Sequence, residues 1–405
     1  MAEYLTNTTD LTKVAAAIRE KSGTSDLLVY PDGFASAVAG IKKAPTTPYM
    51  EAEYVAVEDG GGTSHYIEHA KLYNHTAIYA YEFAFQYRLN SLDFSDASNN
   101  ITAIESSAFE RAQVNGLVLP NTISVLGVAC FSSAYISTLA VPPLVTVIPS
   151  SAFSSIQPIY TEETGEVLPI NIILPQNLTK IGIAGFENAQ IEQITIPDTV
   201  TEIGDNAFYY CDRLASITLS LGLQKISNRM LAYCRSLASI TIPAAVTEIG
   251  AAAFEGSGLT TIIIPSTVTT LGSGAFRDCE SLASLDIQAS VIAIPDEFAI
   301  ECPLTSLTLP NTLQTIGVAA FLRDSGFQFA ELTIPASVTS IGAFAFGGNT
   351  PNQMTLTVLP TTPPTLGSNA FALATGSVIK VPAASVAAYK AATNWSSYAD
   401  YIVGV

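Results

Sequence analysis

Within one short stretch, GGGTSHYIEHAKLYNHT, stand His65, Glu68, His69 and His75, the side chains best suited to hold a divalent metal or move a proton; all 3 histidines of the chain lie there. His65 and His69 are four apart, which on a helix would place both imidazoles on one face, as in a two-histidine zinc motif with an acid beside it. The stretch has no helical apolar period and no second acidic anchor. The reading is therefore solvated histidines, with His65, His69 and His75 as weak metal candidates and no metal or other cofactor expected. The sequence has no Gly-rich phosphate loop, no G-x-S-x-G elbow and no Cys and His in suitable company. Its 5 cysteines, Cys130, Cys211, Cys234, Cys279 and Cys302, are spread at roughly regular spacing. An odd, dispersed set argues against a disulfide framework and against clustered zinc ligands, so buried thiols are expected. No catalytic residues emerge, and the chain reads as a non-enzyme.

Recognition is the other chemistry a surface can perform. Tyr49, Tyr54, Tyr66, Tyr73, Tyr79, Tyr81 and Tyr87 crowd the segment from Tyr49 to Asn90, out of 17 tyrosines in all. Tyrosine buries much area at little entropic cost, so Tyr66, Tyr73 and Tyr79 are candidate contact residues; the same rings could shield the end of whatever follows them. This segment reads as the least regular part of the chain, with Asp59 to Gly62 as a flexible turn.

What must position these residues is a repeat. LASITIPAAVTEIGAAAF and LTSLTLPNTLQTIGVAAF, ending at Phe254 and Phe321, share one pattern, and most steps between successive Phe slots, counted from Phe85 to Phe371, are 22 or 23 residues. Leu231 fills the slot between Phe208 and Phe254. Alternation over Ile240, Thr241 and Ile242 gives a half-buried strand, which Pro243 ends because it has no N–H to donate. Val246 and Ile249 form a second inward pair. Gly250 follows at a place where glycine recurs, signalling a positive φ or a tight backbone approach. A short helical turn over Ala251 to Glu255 is expected to carry Phe254 into the core. One such coil cannot bury both of its faces alone, whereas a stack can, which is the physical reason for repetition.

The pattern LxxLxIPxxVTxIGxxAFxxCxxL resembles the BspA-like family of leucine-rich repeats over about residues 79–381. The resemblance implies a repeat solenoid of 22–25-residue coils with a continuous sheet on one face. It also implies surface proteins that bind other proteins or cells without catalysis. Residues 382–405 depart from the pattern and read as a C-terminal cap, with a helix over Ser385 to Thr393 and Trp395, Tyr398, Tyr401 and Ile402 as cover. Residues 46–78 read as a Tyr/His-rich linker and N-terminal cap.

Residues 1–45 read as a small helical module. Asp10 caps Leu11 to Lys21, and a second short helix runs from Asp32 to Ile41. The segment DLTKVAAAIREKSGTSDLLVYPDGFASAVAGI resembles the start of tail and other virion proteins of phages that infect Gram-positive gut bacteria. That implies attachment to other virion proteins through residues 1–45, or a homo-oligomer.

The outward strand positions include Val118, Ala140 and Ile173, an apolar patch suited to a protein partner or to self-association. No ring stands among these positions, which disfavours a sugar groove on the sheet face. Between Phe153 and Phe186 an insertion, SIQPIYTEETGEVLPI, reads as a short hairpin carrying Tyr160, another candidate contact. The net charge of −18 repels phosphate backbones, so nucleic acid is excluded as a partner. Prolines and polar residues break the uncharged stretch from Ala112 to Thr161, so no membrane span is expected. The start of the sequence has no basic region followed by an apolar run, so no secretory signal is expected. The functional expectation is a non-enzymatic adhesion protein, on a phage virion contacting a bacterial surface receptor (protein or glycan), or alternatively on a bacterial cell surface as an adhesin.

Overall fold

The computed structural model describes residues 48–59, 62–114, 116–161, 166–323, 330–348 and 353–405. The expected helical module over 1–45 lies outside the described residues. The chain divides into two compact units, Met1–Leu178 and Thr179–Val405. Each is a stack of solenoid coils.

The first unit opens on a long hairpin, which corrects the expectation of an irregular segment. Strand β1 (Tyr49–Asp59) runs antiparallel to β2 (Gly62–Tyr73), in register from Tyr49 opposite Tyr73 to Asp59 opposite Gly62. The register shifts where Glu53 faces His69 and Tyr54 faces Ile67, leaving Glu68 as the extra residue of a bulge. Two runs of β-branched and aromatic residues with a Gly-Gly sequence between them form a hairpin, and the glycine pair lies at its tight connection in sequence. β2 then pairs in parallel with Ser91–Asp93, which joins the hairpin to the coils.

Within each unit the coils meet through short parallel ladders. In the first, Ala77–Ile78, Ala103–Ile104 and Val125–Leu126 pair in order, and Thr138–Ala140 pairs with Asn171–Ile173. In the second, Thr261–Ile264, Ser284–Ile287 and Ser306–Thr308 form one such ladder, and Lys225–Ile226, Glu248–Ile249 and Thr270–Leu271 another. Alternation sends Ile262 and Ile264 inward and leaves Ile263 exposed.

The core of the first unit is a column of rings. Phe83, Phe109, Phe131 and Phe153 stack with centroids 5.4, 5.0 and 5.4 Å apart, and all are fully buried. The first slot is thus Phe83 and not Phe85, which is 39% exposed with φ 62. In the second unit Phe254 and Phe276 stack at 5.2 Å, and Phe298 meets its neighbours edge-on at 83° and 86°. Leu231 is buried in the same slot.

The expected helical turn is of another kind. Residues two before and two after the Phe take positive φ, as at Ala252 (53) and Gly256 (63), or Asn206 (56) and Tyr210 (57). The N–H groups of Ala252, Phe254 and Gly256 donate to Ser273, Ala275 and Arg277 of the next coil, so the turn is bonded between coils. Gly250 serves close approach: a Cβ there would lie 2.8 Å from the Asn228 nitrogen.

All five thiols are free and buried. Cys211, Cys234, Cys279 and Cys302 donate to the carbonyls of Phe186, Phe208, Phe254 and Phe276 of preceding coils at 3.0, 3.2, 3.1 and 2.9 Å. Burial pushes the Cys130 and Cys211 thiols up to about 12.

At the C-terminus, helix α1 (Val386–Ala391) and the 3-10 helix Trp395–Tyr401 lead into Ile402–Gly404, which pairs with Val378–Val381. Trp395 is fully buried 5.9 Å from Phe371, with its indole N–H on the Pro364 carbonyl at 2.8 Å. The Tyr389 hydroxyl likewise donates to the Pro360 carbonyl at 2.8 Å. The last coil ends on satisfied rings rather than on open apolar surface.

Candidate functional site

The three histidines are dispersed in role. His75 is buried, with Nδ1 2.9 Å from the Tyr73 carbonyl and Nε2 2.8 Å from Glu82 Oε1. Glu82 also accepts the Tyr79 N–H at 2.8 Å, so His75 fastens the hairpin to the first coil. This corrects the expectation of a solvated His75. His69, on β2, has Nδ1 2.7 Å from Ser91 Oγ. His65 pairs with Ala56 beyond the bulge, so the four-residue spacing falls on a strand interrupted at Glu68 and not on a helix. Among the described residues no group of three His, Cys, Asp or Glu is placed to hold a metal ion.

The candidate tyrosines separate too. Tyr73 lies flat on Tyr49 at 4.6 Å and is buried. Its hydroxyl donates to Glu51 Oε2 at 2.8 Å, and that bond, with burial, pushes its pKa up to about 12. It braces the hairpin instead of offering a contact surface. Tyr79 is half-buried against His75, with ring centroids 5.5 Å apart. Tyr66, in contrast, starts a strip: its ring meets Tyr87 edge-on at 5.7 Å, and Tyr87 meets Tyr135 at 6.4 Å. Tyr87 and Tyr135 are each more than a third exposed. Sequence reasoning missed these two rings. Both stand four residues after a Phe slot, a match visible only once Phe83 is taken as the slot.

The apolar positions are outward as expected. Val118 is 81% and Ile173 50% exposed, and Ala140, also exposed, pairs directly with Ile173. The insertion forms the hairpin Ile159–Thr161 with Glu166–Leu168, where Tyr160 stands opposite Val167, both exposed. Val125 and Val147 add outward apolar side chains on the short strands Val125–Leu126 and Val147–Ile148. The second unit presents a different outward face. Thr195, Thr218 and Thr241 are exposed, and Lys180 with Glu202 (2.6 Å) and Lys225 with Glu248 (2.8 Å) form ion pairs between coils. Among the described residues no helix is long and apolar enough to cross a membrane.

Comparison with known proteins identifies the repeat. The profile of the BspA type leucine rich repeat region matches in 6 copies over residues 67–166, 169–283 and 247–377. Among solved structures, a leucine-rich repeat protein from Bacteroides ovatus ATCC 8483 is similar at 20% identity and TM-score 0.47, over 87% of this chain and 98% of that one. A leucine rich repeat protein of T. pallidum is 28% identical over 46% of this chain and 79% of its own, at TM-score 0.35. A leucine rich cell surface protein from Faecalibacterium prausnitzii A2-165 is 18% identical over 75% and 92%, at TM-score 0.34. No curated protein matches.

Proposed function

From the premise that the chain belongs to the BspA-type leucine-rich repeat family, we propose that it is a non-enzymatic adhesion protein that grips a protein partner at a cell surface through its first unit. The observation that carries this reading is the outward face around Val118, Ala140 and Ile173, with the Tyr160–Val167 pair on the neighbouring hairpin. The stretch from Ala112 to Tyr160 contains no charged residue. Apolar side chains held outward on a paired backbone, as at Ala140, Ile173, Tyr160 and Val167, lose little entropy when a partner covers them, and the uncharged stretch that carries Val118, Ala140 and Tyr160 loses little to desolvation. The Tyr66, Tyr87 and Tyr135 strip supplies further rings of the type that dominates contact energies.

Replacing Ile173 by Asp and Tyr160 by Ala together tests this. Attachment of the labelled protein to cells is expected to drop at least about tenfold with the fold intact, since each truncated anchor is worth on the order of 1–2 kcal/mol. Undiminished attachment by a folded double variant would remove this face as the contact.

The finer assignment to a phage virion rests on the sequence of residues 1–45. The family match starts at residue 67 and lends that segment nothing, so the surface-adhesin reading stands first. Light scattering separates the two: a full chain that is trimeric beside a monomeric chain starting at Thr46 favours the virion reading, and two monomers favour the adhesin.

A further inference from the structure

The second unit contains a cleft of about 510 Å³ whose origin is two missing side chains. Two and four residues past the Phe slot, one coil carries Tyr233 and Arg235, the next Gly256 and Gly258, and the one after it Asp278 and Glu280. The glycine coil is the floor, and the flanking coils are walls roughly 9–10 Å apart, two strand spacings. The floor cannot be refilled cheaply. A Cβ on Gly256 would fall 2.5 Å from Tyr233 Cδ1, and one on Gly258 would fall 2.0 Å from the Arg235 carbonyl oxygen.

One wall is aromatic and cationic. Tyr233 stacks on Tyr210 at 4.6 Å, its hydroxyl donates to Glu255 Oε1 at 3.1 Å, and the Arg235 guanidinium lies 5.9 Å from its centroid. Both tyrosines sit at positive φ (57 and 58), where Gly, Asn or Asp fits more easily, so backbone preference does not explain the pair. The opposite wall is acidic. Burial, followed by the nearby Glu255, pushes the Asp278 carboxyl above its ordinary value. Ser281 adds a hydroxyl at the rim.

We propose that this cleft binds one pyranose ring of a neutral glycan. A cation entering it would meet Arg235 on the wall that offers the ring face, and an anion would meet two carboxylates. A sugar is uncharged, donates hydroxyls to Asp278 and Glu280, accepts from Arg235, and sets its apolar C–H groups against the part of the Tyr233 ring that Tyr210 and the Arg235 guanidinium leave open. The volume holds a hexose with room for part of a second residue. The outward positions Thr195, Thr218, Thr241 and Ile263 of the second unit carry no ring; the platform lies at the turn edge. The inference is independent of the protein contact assigned to the first unit.

Saturation-transfer NMR on the full chain tests it, with methyl glycosides of glucose, galactose, mannose and N-acetylglucosamine as probes and N-acetyl-lysine methylamide as the cationic control. At least one glycoside is expected to show transfer that persists in roughly 0.5 M NaCl, because a neutral ligand is not screened. Tyr233→Asn, which keeps a residue tolerant of positive φ, is expected to reduce that signal at least fivefold with an unchanged circular dichroism spectrum. Asp278→Asn with Glu280→Gln is expected to weaken it severalfold, and Ile292→Ala, at an exposed position outside the cleft lining, to leave it alone. No transfer from any glycoside, transfer that survives Tyr233→Asn, or transfer confined to the lysine probe and abolished by salt would each overturn the proposal; the last would make the cleft a seat for a basic peptide.

Discussion

The two units are built from the same coil and differ in what the coil turns outward. Phe131 in the first and Phe254 in the second occupy the same slot, fully buried, each stacked on a neighbour at about the same distance (5.0 and 5.2 Å). Outside, the first unit offers Val118, Ala140, Ile173 and Val125, while the second sets single apolar side chains such as Leu221, Ile263 and Ile292 among threonines and Lys–Glu pairs. Inward positions are fixed by stacking, and outward ones are free to diverge. Function in such an array therefore lies in the outward columns and in local departures from the repeat.

The comparison can be broken first at the core. Phe131→Ala and Phe254→Ala should cost similar amounts, about 3–5 kcal/mol each, measured by denaturant unfolding; a large disparity would show that the two stacks are not equivalent. Gly127 tests the close approach of coils in the first unit, since a Cβ there would fall 2.3 Å from the Ser106 nitrogen. Gly127→Val should destabilise by roughly 1–3 kcal/mol or more.

How much of this could be read from the sequence follows the same division. The repeat, its inward strand residues and the outward column were legible because period and alternation are local signals; Val118, Ala140 and Ile173 are outward as expected. The β1–β2 hairpin was missed because its strands carry charged and aromatic residues on both sides of a glycine pair, which resembles a loop in composition. Setting the first slot at Phe85 instead of Phe83 concealed the match of Tyr87 with Tyr135. The cleft over Gly256 and Gly258 was invisible for another reason: a missing side chain becomes a site only through what the adjacent coils place beside it.

Smaller effects sharpen the contrast. The five thiols should resist a thiol reagent in the native state at mildly alkaline pH and react together on unfolding, because all five are buried out of a reagent's reach; burial also holds Cys130 and Cys211 at about 12, far above that pH. Reaction of a native thiol would show that coils open locally. Lys225→Ala should change stability by no more than about 1 kcal/mol, and less in high salt, because both side chains of its pair with Glu248 stay partly open to solvent. A larger loss would mean that the ion pairs of the second unit hold its coils together.

The division of labour between the units meets its most direct test in cell attachment, comparing Ile173→Asp with Ile263→Asp. Both residues are about half exposed (50% and 55%) and outward on a strand, one in each unit. Each variant should keep its stability within about 0.5 kcal/mol. The account predicts that Ile173→Asp lowers attachment severalfold, that Ile263→Asp leaves it unchanged, and that protease treatment of the cells removes the difference. Equal attachment by the two folded variants, or a loss confined to Ile263→Asp, would contradict it.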